Sequence, residues 1–388
     1  MKGRKYGLRL KVKGLRIVIA CLIIVFNSFI VQAQNDSISK KITQPNKAFV
    51  YDVRQINAAE LKSIQVANLS ELLAGRVYSK NIHTYNPNTF ANDTAVQPLK
   101  TSGTSISIQN KKRIKLITIG NIVGYGIATY GFYTAWYKDY PKSKFHFFND
   151  NAEWLQVDKI GHMYGAYIES KGSMEMWRWA GLPRKQRIWV GGLSGVAYQT
   201  MIETLDGFSQ DWGWSWGDFT ANVLGSGLLI SQELLWDEQR VDLKFSFHKK
   251  TYDEPVLKER TDSIFGKNLL SRMLKDYNGQ TYWLSANLKS FFPKSNLPAW
   301  LNVAVGYGAE GLLDADENIW INRNGVKIDR TDIPRYRQWF IAPDINLTKI
   351  KTKSKFLKVA LFFFNSFKFP LPSIGFSKKG VEWNWLHF

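Results

Sequence analysis

Asp158-Lys159-Ile160-Gly161-His162 opens the stretch, residues 158 to 233, whose reading decides the fold. It continues through Gln199-Thr200-Met201-Ile202-Glu203-Thr204-Leu205-Asp206-Gly207 and Trp212-Gly213-Trp214-Ser215-Trp216-Gly217-Asp218. It closes with Asn222, Gly225 and Gly227 in an apolar run. Acids, amides and one histidine recur inside segments that are otherwise apolar enough to be buried. At helical spacing Asp158 and His162 share a face. So do Gln199 and Glu203, with Asp206 a turn further on, and so do Ser215, Asp218 and Asn222, with Gly225 in line. The spacing predicts three helices, over about 157–175, 183–205 and 215–236. Pro183 suits the first turn of the second. Ser215 is the expected N-cap of the third, with Asp218 at N3 in a capping-box-like arrangement. Gly191, Gly192, Ser194, Gly195, Gly225, Ser226 and Gly227 mark faces where helices can approach closely.

Just before this stretch, residues 116 to 137 carry no charge and are rich in Gly and aromatics. The length would span a bilayer. Lys111, Lys112, Arg113 and Lys115 would then lie on the wrong side for an exported chain under the positive-inside rule. A fourth helix is therefore expected here, buried in a bundle or embedded in one leaflet or the outer membrane. Residues 35–110 are polar and rich in Asn, Ser, Thr and Gln, and read as linker. Within them, Leu61, Ile64, Ala67, Leu69 and Leu72 recur at helical spacing and predict a short docking helix. Residues 1–34 read as a secretory signal. A basic region precedes the apolar run from Ile17 to Val31, and Val31-Gln32-Ala33 supplies the cleavage site. The alternatives are an uncleaved anchor and a lipobox at Val18-Ile19-Ala20-Cys21, which leaves almost no apolar run before the cysteine.

After about residue 240 the period changes from helical to two. Tyr282, Leu284, Ala286 and Leu288 alternate with Thr281, Trp283, Ser285 and Asn287. Leu301, Val303, Val305 and Tyr307 alternate with small and polar residues, and Trp339, Ile341, Ile345 and Leu347 share a face. These read as strands with one wet face. Four to six of them make a small sheet or partial barrel, too few for a complete porin. Residues 355–369 are aromatic with scattered Lys and read as an interfacial helix. The alternating end, Trp383 to a terminal Phe388, resembles outer-membrane β-proteins, although Asn384 falls on the Phe388 face. Asp314-x-Asp316-x-Asn318 lacks the EF-hand glycine and reads as an acidic hairpin turn.

The chain of 388 residues has a formal charge of +20, with seven positive charges ahead of the first apolar run. That balance suits an anionic surface such as phospholipid or lipopolysaccharide. Aromatics make up 14%, including fifteen Trp, which fits surfaces that are apolar at one end and wet at the other. No nucleic-acid module appears, so nucleic acid is not an expected partner. The one cysteine excludes disulfides and cysteine-based metal sites in the mature chain. No nucleophile elbow, phosphate loop or HExxH is present.

Burying this many polar groups demands that each be paired. The candidate cluster is Asp158, Lys159, His162, Gln199, Glu203, Asp206, Ser215, Asp218 and Asn222. It admits a hydrogen-bonded seam that fixes helix register, with Asp218 capping its own helix and Lys159 pairing a carboxylate. It also admits a divalent metal on His162, Glu203 and Asp218, with Asp206 a further candidate. A third use is metal-free acid/base chemistry by His162 with Glu203 or Asp206.

Asp158-Lys159-x-x-His162, Glu203-x-x-Asp206 and Ser215-Trp216-x-Asp218-x-x-x-Asn222-x-x-Gly225 together resemble the YfiM-like family of predicted periplasmic lipoproteins, a domain of unknown function. They are similar, more distantly, to VanZ-like membrane proteins. The resemblance covers roughly residues 110–240 and leaves the β-rich part outside. It implies an envelope location and a compact helical domain, and no established activity.

The expectation is an α+β protein: a signal (1–34), a polar linker (35–110), a membrane-associated four-helix domain (111–240) and an antiparallel β-rich region (241–388). It is expected in the periplasm or outer membrane of a Gram-negative bacterium. Its expected partners are a membrane or lipid surface and other envelope proteins. The leading function is a non-enzymatic structural or assembly component at the outer membrane. The competitors are a metal-dependent enzyme acting on an envelope lipid or glycan, and a binding module for anionic lipid or a secreted partner.

Overall fold

A computed structural model describes residues 110–133 and 141–387. The signal, the polar segment with its expected docking helix, and Phe388 lie outside the described residues. Helices occupy the first half and an antiparallel sheet dominates the second.

Helix α1 (Lys111–Phe132) begins at Asn110, whose side chain accepts from the Arg113 N–H. Ile114 and Ile117 pack against Trp177, Ala180 and Leu182, and Tyr125 stacks on Tyr198. Leu116, Ile119, Ile122, Val123 and Tyr130 remain exposed, so only one side of this helix is buried. No helix among the described residues is long and apolar enough to cross a membrane.

Helix α2 (Val157–Ala180) is the central strut, and Gly181 ends it in the left-handed conformation. The expected single helix over 183–205 is two, α3 (Arg184–Gly192) and α4 (Ser194–Asp206), which meet at Leu193. The break has a tertiary cause. Ser170 Oγ of α2 donates to the Gly192 carbonyl (2.7 Å) and accepts from the Gly195 N–H (3.0 Å). A side chain inserted into the helical ladder in this way kinks it. Gly195 is needed there, because a Cβ would lie 2.1 Å from the Ala166 carbonyl oxygen. The helical half thus holds α1 to α5 among the described residues, where four helices were expected. In α5 (Trp216–Trp236), Gly225 brings the backbone against α2: a Cβ would lie 2.0 Å from the Met163 carbonyl oxygen.

Strands β1 (Val241–Phe247), β2 (Gln280–Asn287), β3 (Leu301–Glu310), β6 (Tyr336–Ile345), β7 (Leu371–Ser377) and β8 (Gly380–His387) form one antiparallel sheet in that order. A separate hairpin, β4 (Ile319–Ile321) with β5 (Lys327–Asp329), leaves it between β3 and β6. Helices α6 (Pro255–Ile264) and α7 (Leu269–Lys275), absent from the sequence reading, fill the β1–β2 connection. Leu288 starts a single helical turn instead of extending β2. Helix α8 (Lys355–Phe364) falls in the expected interfacial segment and exposes Phe356, Leu357 and Phe364. Asn318 organises the acidic turn, accepting from the Leu313 N–H and donating to the Gly311 and Ile333 carbonyls. Beyond α8, Ser366 to Lys368 run beside β1 and exchange hydrogen bonds with Phe245, covering that edge.

The sheet's two faces are inverted relative to an ordinary water-soluble core. Leu284, Val305, Ile341, Ile374 and Trp383 are cross-strand neighbours in one row. They are 46, 46, 47, 37 and 54% exposed. Trp339, Phe376 and Val381 continue the apolar band. The wet face predicted from sequence is instead the buried one. Lys244 and Asp344 form an ion pair at 2.7 Å with both side chains fully buried. Ser285 donates to Asp344 (2.6 Å), Asn302 to Ser285 (2.8 Å) and Asn287 to Asn302 (2.7 Å). At the β1 edge, Asp242 accepts from Tyr167, Lys171, Asn346 and Asn365. The helical layer packs on the apolar face only at β1 and one end, through Leu243, Phe245, Tyr282 and Tyr307.

Candidate functional site

Three helices and a loop carry the polar cluster to one place. Asp158, Lys159 and His162 lie on the first turns of α2. That helix is entered through a turn whose backbone is left-handed at Trp154 (φ 50°), Leu155 (φ 50°) and Gln156 (φ 64°). Such a conformation costs an L-residue about 1–2 kcal/mol. It is held by a Trp154 N–H bond to Ala315 (2.9 Å), an Arg337 bond to Gln156 (2.5 Å) and the Tyr307 hydroxyl on the Leu155 carbonyl.

Ser215 is the N-cap of α5 and accepts from the Asp218 N–H (3.1 Å). The reciprocal half of the capping box is not made by Asp218. The Ser215 N–H donates to Glu203 of α4 (3.3 Å), and the Ser215 hydroxyl donates to Asp150 (2.5 Å). The Asp218 carboxylate is thereby released from capping and meets Lys159 at 2.8 Å. Lys159 also holds Asp150 at 2.7 Å and Asp158 at 3.3 Å. Tyr277, from the β-rich half, donates to Asp158 (2.8 Å).

His162 stands between two acids. Its Nδ1 is 3.6 Å from Glu203 Oε1 and its Nε2 is 3.8 Å from Asp218 Oδ1. His162 Nδ1 and Glu203 Oε1 are buried without a hydrogen-bond partner, and both amide atoms of fully buried Asn222 are likewise unpartnered. Ligand atoms of Asp158, His162 and Asp218 lie within 4.8 Å of one another. His162 and Asp218 of the expected metal set fall in this grouping together with Asp158. Asp218 faces Nε2 of the ring and Glu203 faces Nδ1.

The electrostatics follow from burial and excess negative charge. Burial pushes the Glu203 carboxyl up to about 8, against the opposing pull of His162 and with the help of Asp218 and Asp206. Burial likewise pushes Asp218 up to about 7, although His162 and Lys159 favour its ionised form. Burial alone would lower the His162 pKa, yet Asp158, Asp218 and Glu203 together raise it. Asp150 also loses hydration, but bonds from Lys159 and Ser215 hold it below its ordinary value.

Of the expected residues, Asp158, Lys159, His162, Glu203, Ser215 and Asp218 come together. Asn222 lies one turn along α5 from Asp218, on the helix face that carries Gly225 against α2. Asp206 acts on Glu203 through its charge. Gln199 belongs to a neighbouring layer, donating to Glu169 of α2 (3.0 Å). Sequence reasoning missed Asp150 and Tyr277. Asp150 sits in the acid-amide run Asn149-Asp150-Asn151 just before α2, a signal that was available; nothing local marks Tyr277.

Residues 146–232 match the model of a family described as a predicted periplasmic lipoprotein (DUF2279). The match spans under a quarter of the chain but holds every member of the cluster except Tyr277. Comparison with curated proteins and with solved structures finds no match. The chain is an exported envelope protein, of the periplasm or outer membrane.

Proposed function

We propose that this chain is a non-enzymatic structural or assembly component of the outer membrane, which seats its sheet in lipid and presents its helical layer beside it. The observation that carries the reading is the exposed row Leu284, Val305, Ile341, Ile374 and Trp383, backed by a buried face that mixes polar and charged groups with Trp283 and Phe340. Alternation with apolar residues outward and polar residues inward is the arrangement of strands that face hydrocarbon. In water such a band would be a liability. Trp339, Trp383 and Trp385 on the exposed face suit the headgroup boundary. The exposed side of α1 and the apolar face of α8 extend the same kind of surface. The resemblance of the motif on α2, α4 and α5 to YfiM-like proteins, and more distantly to VanZ-like membrane proteins, is compatible with this reading.

The test places a reporter on the band. A Cys21→Ser chain carrying Val305→Cys, labelled with an environment-sensitive fluorophore, is mixed with phosphatidylethanolamine–phosphatidylglycerol vesicles. Flotation with the vesicles, a blue shift and quenching by brominated acyl chains are expected. A label that stays in water on a folded chain would sink the proposal.

A further inference from the structure

The polar cluster contains more than a seam needs. Three carboxylates, Asp150, Asp158 and Asp218, surround the Lys159 ammonium, and a fourth, Glu203, lies against His162. Glu203 is 1% exposed and aims an unpartnered oxygen at His162 Nδ1. Fully buried Asn222 leaves both amide atoms unpartnered one turn from Asp218. Buried polar atoms are almost always satisfied, and an ion is one of the recognised explanations for exceptions.

We propose that Asp158, His162 and Asp218 bind one divalent first-row cation, with His162 coordinating through Nε2 and Glu203 orienting the ring through Nδ1–H. The ligand atoms of these three residues already lie within 4.8 Å of one another. Around a hard cation with bonds of about 2.0–2.6 Å, neighbouring ligand atoms sit at comparable separations. A carboxylate on the far ring nitrogen is the usual partner of a metal-bound histidine, because it fixes the tautomer and turns the other lone pair to the ion. One imidazole with two carboxylates and no thiolate suits Mn2+ or Zn2+ better than Cu+. Lys159 keeps Asp150 and shares Asp218, so the ion neutralises charge the ammonium leaves over. The cation would tie α2 to α5 directly and to α4 through Glu203, a structural role independent of where the sheet sits.

The full chain in detergent, stripped with chelator, is titrated with Mn2+ and Zn2+ by calorimetry, with Mg2+ and Ca2+ as competitors. One ion per chain, a rise in Tm and a 14N coupling in the pulsed EPR of the Mn2+ form are expected. His162→Gln is expected to abolish the 14N coupling, and Asp158→Asn to weaken binding strongly. Glu203→Gln keeps the coupling and weakens affinity about 10- to 100-fold. The proposal is overturned if the folded wild-type chain binds no stoichiometric ion. It is equally overturned if folded His162→Gln and Asp158→Asn bind as well as wild type. Should either variant fail to fold, presence or absence of the 14N coupling in wild type and Glu203→Gln still decides.

Discussion

Two of the places where the molecule buries charge treat it in opposite ways. Inside the sheet, Lys244 and Asp344 neutralise each other, and Ser285, Asn302 and Asn287 extend the pair into a connected chain of hydrogen bonds. Between the helices, acids outnumber the ammonium, and His162, Glu203 and Asn222 keep unpartnered atoms. A satisfied network specifies one arrangement, whereas a half-satisfied one is costly unless something else completes it. The sheet interior therefore reads as architecture, and the helical cluster as a place built for an additional charge.

The sharpest way to break this contrast is to remove Lys244. Lys244→Met leaves Asp344 buried without its ion-pair partner, and should cost about 3–5 kcal/mol in denaturant unfolding of the detergent-solubilised chain. Lys244→Met with Asp344→Leu should recover most of the loss. If the single change is tolerated, the sheet interior is wetter than the buried pair implies. Next in size, Ile341→Lys on the exposed row should cost about 2–4 kcal/mol in lipid, read from partition between vesicles and buffer. An unchanged partition would turn that face back towards water.

Gly225→Ala probes the helical side. Its Cβ meets the Met163 carbonyl, so α2 and α5 must separate at a cost of about 1–3 kcal/mol, visible as a lower Tm. The smallest effect concerns Glu169, which Gln199 of α4 and the charge of His162 favour as the anion. Burial dominates, and pushes its carboxyl from 4.5 up to about 8, with Tyr125 of α1 nearby. The native state then holds a proton that the unfolded chain releases. That contribution is whole below pH 4.5 and lost as pH rises through about 8. Glu169→Gln should flatten unfolding free energy against pH across this window, and an unchanged slope would place the titration elsewhere.

Much of the helical cluster was legible because helical spacing is a strong constraint. Residues 158, 162 and 218 could be assigned to facing stripes before any coordinates. A stripe, however, is a line and not a point. Gln199 and Glu203 share a face, yet four residues are about 6 Å of rise along the axis, enough for Gln199 to reach Glu169 while Glu203 reaches His162. The capping motif misled in a similar way. Ser215 caps as expected, but Asp218 surrenders its half of the box to Glu203. The break at Leu193 depends on Ser170 from another helix, and Tyr277 arrives from the far half of the chain, so neither is written locally. In the sheet, a period of two established two unlike faces. It could not say which one faces inward, because that depends on the medium outside.

The left-handed turn at Trp154, Leu155 and Gln156 gives the two regions a mechanical connection. It behaves as a wound spring whose catches, Ala315, Tyr307 and Arg337, all belong to the β-rich half. These bonds fix the start of α2, which carries Asp158 and Lys159 towards Asp150 and Asp218. The alignment of the helical cluster thus rests on contacts that the β-rich half supplies.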